Sequence, residues 1–174
     1  MKNICVIVLI CFPSWAFSQT SVNISISLPS IALLDIAPNN TAFNLNLAAP
    51  TEAGNSVTDN PTNSSKWINF TSAVIEGRTR RITAQISGTL PAGVNLGLNI
   101  ANYAGIGAGT LGISSGTVIL SGTTQTVINN IGGAFTGDGA NNGYNLTYIL
   151  QISDYALLRT QTSTFTVLYT MADN

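Results

Sequence analysis

Apolar and polar residues alternate with a period of two along most of this chain, whereas the 3.6-residue period of a helix is nearly absent. In residues 144–152 an apolar side chain occupies every second position, and residues 165–171 repeat the pattern. Successive side chains of a strand point to opposite faces of a sheet, so the alternation predicts strands with one buried face. We therefore expect an all-β fold.

The pattern predicts about nine or ten short strands separated by turn residues. Loops rich in Gly, Pro and Asn are expected at residues 48–65, 105–116 and 132–143. Short strands at this spacing predict one two-sheet β-sandwich of the immunoglobulin type. An eight-stranded outer-membrane barrel is a weaker alternative, because aromatic residues make up only 7% of the chain and such barrels carry aromatic girdles. The expected strands are residues 22–28, 31–36, 43–47, 66–75, 79–87, 94–100, 117–120, 126–131, 144–152 and 163–171.

Residues 1–18 have the layout of a secretory signal peptide. Lys2 supplies the positive start, a short apolar core follows, and residues 16–18 place two small side chains before a cut at Gln19. The apolar core is shorter than the roughly 20 residues that span a bilayer as a helix, so we expect no transmembrane helix. The remainder, residues 19–174, is then a single exported domain, located outside the cell, at the cell surface or in the periplasm.

Residues 19–174 contain neither cysteine nor histidine. Both cysteines, Cys5 and Cys11, lie in the leader, and the whole chain has no histidine. Disulfides, thiol nucleophiles, Ser-His triads and the usual zinc and copper sites are therefore excluded from this part of the chain. In an alternative interpretation Cys11 becomes a lipid-anchored first residue, but the bulky Ile10 before it disfavours that cleavage.

Acidic residues are few and scattered along the sequence. A glycosidase needs two carboxylates roughly 5 to 9 Å apart across a sugar, and a calcium loop at residues 137–143 would need more than the single charge of Asp138. We therefore expect no enzymatic activity, no metal and no cofactor, and we interpret residues 137–143 as a loop. The seven acids are Asp35, Glu52, Asp59, Glu76, Asp138, Asp154 and Asp173.

The low charge is the most unusual feature of the composition. Only 7% of the residues are charged, against about 25% in an ordinary globular domain. Nucleic acid is not an expected partner, because its binding needs a basic surface that neutralises phosphates. Charge is also a main device that keeps strand edges from pairing between molecules. A chain of this kind therefore either closes its sheet edges or uses them.

Two features could form a ligand surface. Arg78, Arg80 and Arg81 form the one basic cluster, which could bind an acidic glycan or a partner carboxylate; the favoured interpretation is that they protect a strand edge. Trp67 could stack on a sugar, or it could belong to the core. Three tyrosines could join it in binding a sugar, and they are Tyr103, Tyr148 and Tyr155.

The two ends of the chain resemble pilin subunits assembled by the chaperone–usher route, including the spore-coat-U-like group. The resemblance lies in the last two alternating strands, in the N-terminal segment and in the general architecture. It implies an incomplete sandwich that an extended peptide from a neighbouring subunit completes by β-strand addition. Many such pilins carry a disulfide, which residues 19–174 cannot form. The C-terminal strand carries Phe165, Val167, Tyr169 and Met171, and the candidate donor strand carries Val22, Ile24, Ile26 and Leu28.

We therefore expect a non-catalytic secreted or cell-surface structural protein, either a fimbria-like or pilin-like subunit or an adhesion module. Residues 19–30 would be the exchangeable N-terminal strand. The partner would be a second copy, by strand exchange, or another envelope protein. The alternative is a secreted β-sandwich module that binds carbohydrate or protein, in which residues 22–28 are simply the first strand of a closed domain.

Overall fold

The computed structural model describes residues 18–57 and 60–174. The expected signal peptide, up to residue 17, and Asp59 lie outside the described residues. The described part of the chain folds into two antiparallel sheets and contains no α-helix. The prediction of an all-β sandwich-like fold is confirmed.

Eleven strands and one 3-10 turn follow one another along the described residues. Seven of the strands have seven or more residues, and they supply most of both sheets. In chain order the elements are β1 (Ile31–Ala37), β2 (Thr62–Ala73), β3 (Arg80–Ser87), β4 (Val94–Ile100), β5 (Ala108–Gly109), β6 (Ile113–Ser114), β7 (Thr117–Leu120), β8 (Gln125–Ile131), β9 (Ala134–Phe135), β10 (Tyr144–Ile152), the 3-10 turn (Tyr155–Leu157) and β11 (Thr166–Asp173).

The larger sheet has seven strands. Six follow the order β5-β9-β2-β10-β4-β7, and β1 pairs with the edge of β2 opposite to the one that β9 and β10 share. β1 pairs with the second half of β2, from Ile31 opposite Ala73 to Ala37 opposite Trp67. The smaller sheet has the order β11-β3-β8-β6. The first and last strands therefore lie at edges of different sheets, and β1 approaches β11 without pairing with it.

The core fills the space between the two sheets with the inward-facing half of each alternating strand. Ile68 and Leu98 from the larger sheet and Ile82 from the smaller sheet are fully buried. Burying each such side chain stabilises the fold by roughly 1.5–3 kcal/mol. Tyr144 adds a polar link, since its hydroxyl donates to Leu111 O at 2.8 Å while its ring stacks on Phe70.

A buried arginine closes one end of the sandwich. Arg80 begins β3 with its side chain turned inward, and its Nε lies 2.8 Å from an exposed carboxylate oxygen of Asp173 on β11. The same guanidinium donates to the carbonyls of Ile31 and Ala73 and to the hydroxyl of Ser30. Because it satisfies acceptors from three other segments, this one side chain joins the start of β1, the end of β2 and the end of β11.

Two segments that the alternation predicts as strands are not strands in the structure. Residues 22–28 and 43–47 have the expected pattern but belong to neither sheet. Alternation gives a segment one apolar face, yet a strand also needs a neighbour that accepts and donates its backbone hydrogen bonds. For both segments the described part of the chain supplies no such neighbour.

Candidate functional site

A groove of about 1150 Å³ opens along one side of the sandwich. It reaches between the two sheets, so side chains of β4 and β10 form one wall and side chains of β11 form the other. Residues 40–47 and the loop that leads into β11 also line it. The apolar side chains that line it include Val94, Leu96, Tyr148, Leu150, Phe165, Val167 and Tyr169.

Two tyrosines bridge the walls of the groove. The hydroxyl oxygens of Tyr148 on β10 and Tyr169 on β11 lie 2.7 Å apart and share a hydrogen bond. Burial raises the pKa of both phenols above the usual value of 10. Both are therefore neutral at physiological pH and add no charge to the groove.

β11 forms the open edge of the smaller sheet at this groove. It pairs with β3 along its whole length, from Thr166 opposite Ser87 to Asp173 opposite Arg80. Among the described residues no strand pairs with its other edge. An edge strand presents a row of unpaired N–H and C=O groups that can accept another strand. The inward side chains of β11 are only half-buried, so this edge is open both to hydrogen bonding and to apolar packing.

The candidate donor segment lies free of the fold. Residues 18–29 are exposed throughout and form no strand. Its four large apolar side chains, at alternate positions, are Val22 at 82%, Ile24 at 80%, Ile26 at 81% and Leu28 at 88% exposure. The segment therefore has one continuous apolar face, and no other part of residues 18–57 and 60–174 buries it.

The groove has one buried cation at its rim. Lys66 on β2 is 6% exposed. Its ammonium donates to the backbone oxygen of Asn39 at 2.9 Å and to the Asn39 side-chain oxygen at 3.0 Å. These two bonds fix the chain just after β1, where it turns away from the sheet and enters the groove.

Few groups in the described residues could carry out chemistry. No cluster of three or more His, Cys, Asp or Glu side chains lies within them that could hold a metal ion.

Comparison with protein-family models, with curated proteins and with solved structures found no match to this chain. From residue 18 onward, outside the gap at 58–59, no helix has the length and apolarity needed to cross a membrane.

The three arginines of the predicted basic cluster do not share a surface. Arg78 lies in a turn, where its N–H donates to Ile75 O, and its side chain is exposed. Arg80 is buried at the end of the sandwich, where it joins β1, β2 and β11. Arg81 donates to the Asn174 side chain at 3.1 Å. Arg78 thus precedes the strand, as the expected range 79–87 implied; the strand begins at Arg80.

Trp67 lies half-buried on the outer face of the larger sheet, opposite Ala37 and Asn145. Two of the tyrosines proposed to join it lie elsewhere, because Tyr148 is 4% exposed inside the sandwich and the Tyr103 hydroxyl donates to Thr136 O. A sugar-binding role for Trp67 is still a prediction, but it would not include these two tyrosines.

A second, smaller cavity of about 340 Å³ lies on the outer face of the larger sheet. Asp35, Asn69 and Asp138 contribute to its lining. Asn69 donates to Asn142 O at 2.6 Å, which holds the glycine-rich loop at residues 137–143 against β2. The predicted loop is confirmed, and it packs on the sheet rather than extending into solvent.

Sequence reasoning missed the involvement of residues 40–47 and of Lys66 in the groove. The alternation of Phe43, Leu45 and Leu47 was the available signal, but it predicted a strand. The sequence could not predict that Tyr148 lies at the floor of the groove, because an aromatic residue on an alternating strand has the same pattern whether it lines a groove or fills the core.

Proposed function

We propose that this protein is a non-catalytic structural subunit of a fimbria-like, cell-surface assembly, and that its copies join by strand exchange. Residues 22–28 of one copy dock along the open edge of β11 in the next copy and bury their apolar face in the groove. The observation that carries this proposal is the presence, in one chain, of a free alternating segment and an unpaired edge strand beside an apolar groove.

The strand order supports the proposal. If β8 is left aside and β1, β2, β3, β4, β10 and β11 are lettered A to F along the chain, the larger sheet contains the order A-B-E-D and the smaller sheet has F beside C. An immunoglobulin sandwich has these same neighbours and a further strand G paired to F; β8, which pairs with the other edge of β3, is an addition to that pattern. No described strand takes the G position here. A donated strand beside β11 would complete the sandwich.

The charge distribution also favours docking of the N-terminal segment. Residues 18–30 contain no charged side chain. Among the described residues that line the groove, the charged ones are Lys66 and Arg159, and neither lies on the floor formed by β4, β10 and β11. Because burial of an unpaired charge is costly, a neutral segment with one apolar face is well suited to this groove.

Light scattering on residues 19–174, over a concentration series and combined with electron microscopy, tests the proposal. We expect regular oligomers or filaments. The variant Ile24→Asp with Ile26→Asp should remain monomeric, because it places two charges on the face that docks. The control Ser25→Asp with Ser27→Asp adds the same charge to the opposite face and should still assemble.

A stable monomer at every concentration would contradict strand exchange between copies. That result would favour the alternative of a secreted binding module, and the groove would then be the first surface to screen with carbohydrate and peptide ligands. Equal loss of assembly in both Asp variants would show that charge repulsion, and not the apolar face, controls association.

A further inference from the structure

Residues 40–47, which we name the groove segment, already occupy part of the acceptor groove. Phe43, Leu45 and Leu47 are half-buried, while Asn44 and Asn46 between them are exposed. The ring of Phe43 lies 4.8 Å from the ring of Tyr148. The groove segment thus covers the floor of the groove with every second side chain, in the way that an inserted strand would.

The groove segment lacks the backbone hydrogen bonds that a strand makes with its neighbours. Within the described residues, no backbone hydrogen bond joins residues 42–47 to either sheet. Its attachments beyond side-chain packing lie at its two ends, where Lys66 holds Asn39 before it and Ala48 forms an isolated β-bridge after it. The open edge of β11 is therefore still unpaired, although the apolar floor beside it is partly covered.

The groove segment and the donor segment have the same pattern. In residues 43–47 the apolar side chains alternate with Asn, and in residues 22–28 they alternate with Asn and Ser. The groove segment offers three apolar side chains and the donor segment offers four. The donor segment could also form a hydrogen-bonded ladder with β11, because an extended chain can pair along an open edge.

We propose that the groove segment is a plug, which covers the acceptor groove of an unassembled subunit and is displaced when residues 22–28 of a second copy dock. This inference rests on the proposed function. Both segments need the same floor around Tyr148, so they exclude each other. The plug shields apolar side chains from water and from incorrect partners, and the ladder with β11 favours its replacement by the donor strand.

Displacement has a kinetic consequence. If only a fraction of the acceptor molecules have an open groove at any moment, the apparent affinity and the docking rate are both reduced in proportion to that fraction. Loosening the plug should therefore accelerate docking, even though it removes apolar side chains from the groove. If the groove segment were instead a fixed wall of the groove, loosening it would slow docking or leave the docking rate unchanged.

Peptide binding measures this rate. The acceptor is residues 19–174 carrying Ile24→Asp and Ile26→Asp, which disable its own donor segment, and the probe is a fluorescent peptide of residues 19–29. We expect Phe43→Ala and Leu45→Ala to raise the association rate by about tenfold, which corresponds to weakening the closed state by about 1.4 kcal/mol. The matched controls Asn44→Ala and Asn46→Ala, on the exposed face of the same segment, should bind like the parent.

The outcomes separate the plug from the proposed function. Equal rates in all acceptors, or slower binding by Phe43→Ala, would overturn the plug and leave strand exchange intact. Failure of the peptide to bind any acceptor would overturn both.

A fluorescence measurement tests displacement of the plug without the alanine variants, so misfolding of those variants would not affect its result. Trp67 is the one tryptophan of residues 19–174, so Phe43→Trp combined with Trp67→Phe gives a single reporter in the plug. We expect its emission to shift to the red when the peptide binds, because the side chain enters water. An unchanged spectrum at saturating peptide would show that the groove segment stays in place, and the plug would be refuted.

Discussion

The substitution Ile26→Ala separates the stability of the free subunit from the stability of the assembly. In the free subunit the Ile26 side chain is 81% exposed and packs against nothing. Its truncation should therefore change the free energy of unfolding by less than about 0.5 kcal/mol, as is usual for surface positions. In the proposed assembly the same side chain would be buried in the groove of the next copy.

The expected cost in the assembly follows from that burial. Truncation of a fully enclosed Ile to Ala costs about 2–5 kcal/mol. The groove is open along its length, so we take the lower end, about 2 kcal/mol, which corresponds to roughly a 30-fold weaker association. The concentration at which assembly begins should rise by that factor. Ser27→Ala, on the other face of the segment, should leave it unchanged.

Two assays measure the two quantities. Urea denaturation of dilute monomer gives the free energy of unfolding, and sedimentation followed by quantification of the supernatant gives the concentration at which assembly begins. A loss of 1 kcal/mol or more in the monomer would show that Ile26 is part of its own domain. An unchanged onset of assembly would show that Ile26 is not at the interface. Either result would refute the reasoning.

Three further predictions concern the fold that carries the groove. Arg80→Met should lower the free energy of unfolding by about 1–3 kcal/mol, because it leaves the part-buried carbonyls of Ile31 and Ala73 unpaired. Asp173→Asn should cost less than about 1 kcal/mol, since that side chain is 78% exposed; equal losses in urea denaturation would contradict the role of Arg80 in joining β1 to β2. Burial raises the pKa of Tyr144 to about 12, so above pH 10 the folded state keeps a proton that the unfolded state loses. The contribution of Tyr144 to stability should be constant below pH 10 and then fall by up to about 1.4 kcal/mol per pH unit until pH 12, in addition to the contributions of Tyr148 and Tyr169, whose pKa values burial also raises. A Tyr144→Phe variant with an unchanged slope would exclude this tyrosine. Gly143→Ala should destabilise by about 2–4 kcal/mol, because φ is +87° and a Cβ would collide with Ile68 O; Gly139, at φ +82° with open space around it, should tolerate alanine at about 1 kcal/mol, and equal melting temperatures would contradict the close approach.

The long strands could be predicted from the sequence because their pattern repeats over seven or more residues. The expected ranges 94–100 and 144–152 coincide with β4 and β10. The start of β2 was missed, since Thr62 to Ser65 is uniformly polar and carries no alternation. The two-residue strands β5, β6 and β9 are too short to show any period, and pairing with distant residues places them.

The groove could not be predicted in the same way. It forms between residues far apart in the sequence, such as Tyr148 and Tyr169 across the two sheets. Alternation at residues 22–28 and 43–47 indicates an apolar face, but the sequence does not show whether that face packs in its own domain, in a groove without pairing, or in another molecule. The structure distinguishes the two segments by burial, with Phe43 half-buried and Ile24 at 80% exposure.

The most direct test of strand exchange is hydrogen–deuterium exchange of residues 19–174, measured by mass spectrometry at concentrations below and above the onset of assembly. The account predicts that amides in residues 22–28 and in β11 gain protection together on assembly. β10, an internal strand of the larger sheet, should exchange equally slowly in both states. Rapid exchange of residues 22–28 in the assembled protein would contradict docking of this segment, whatever the size of the assembly.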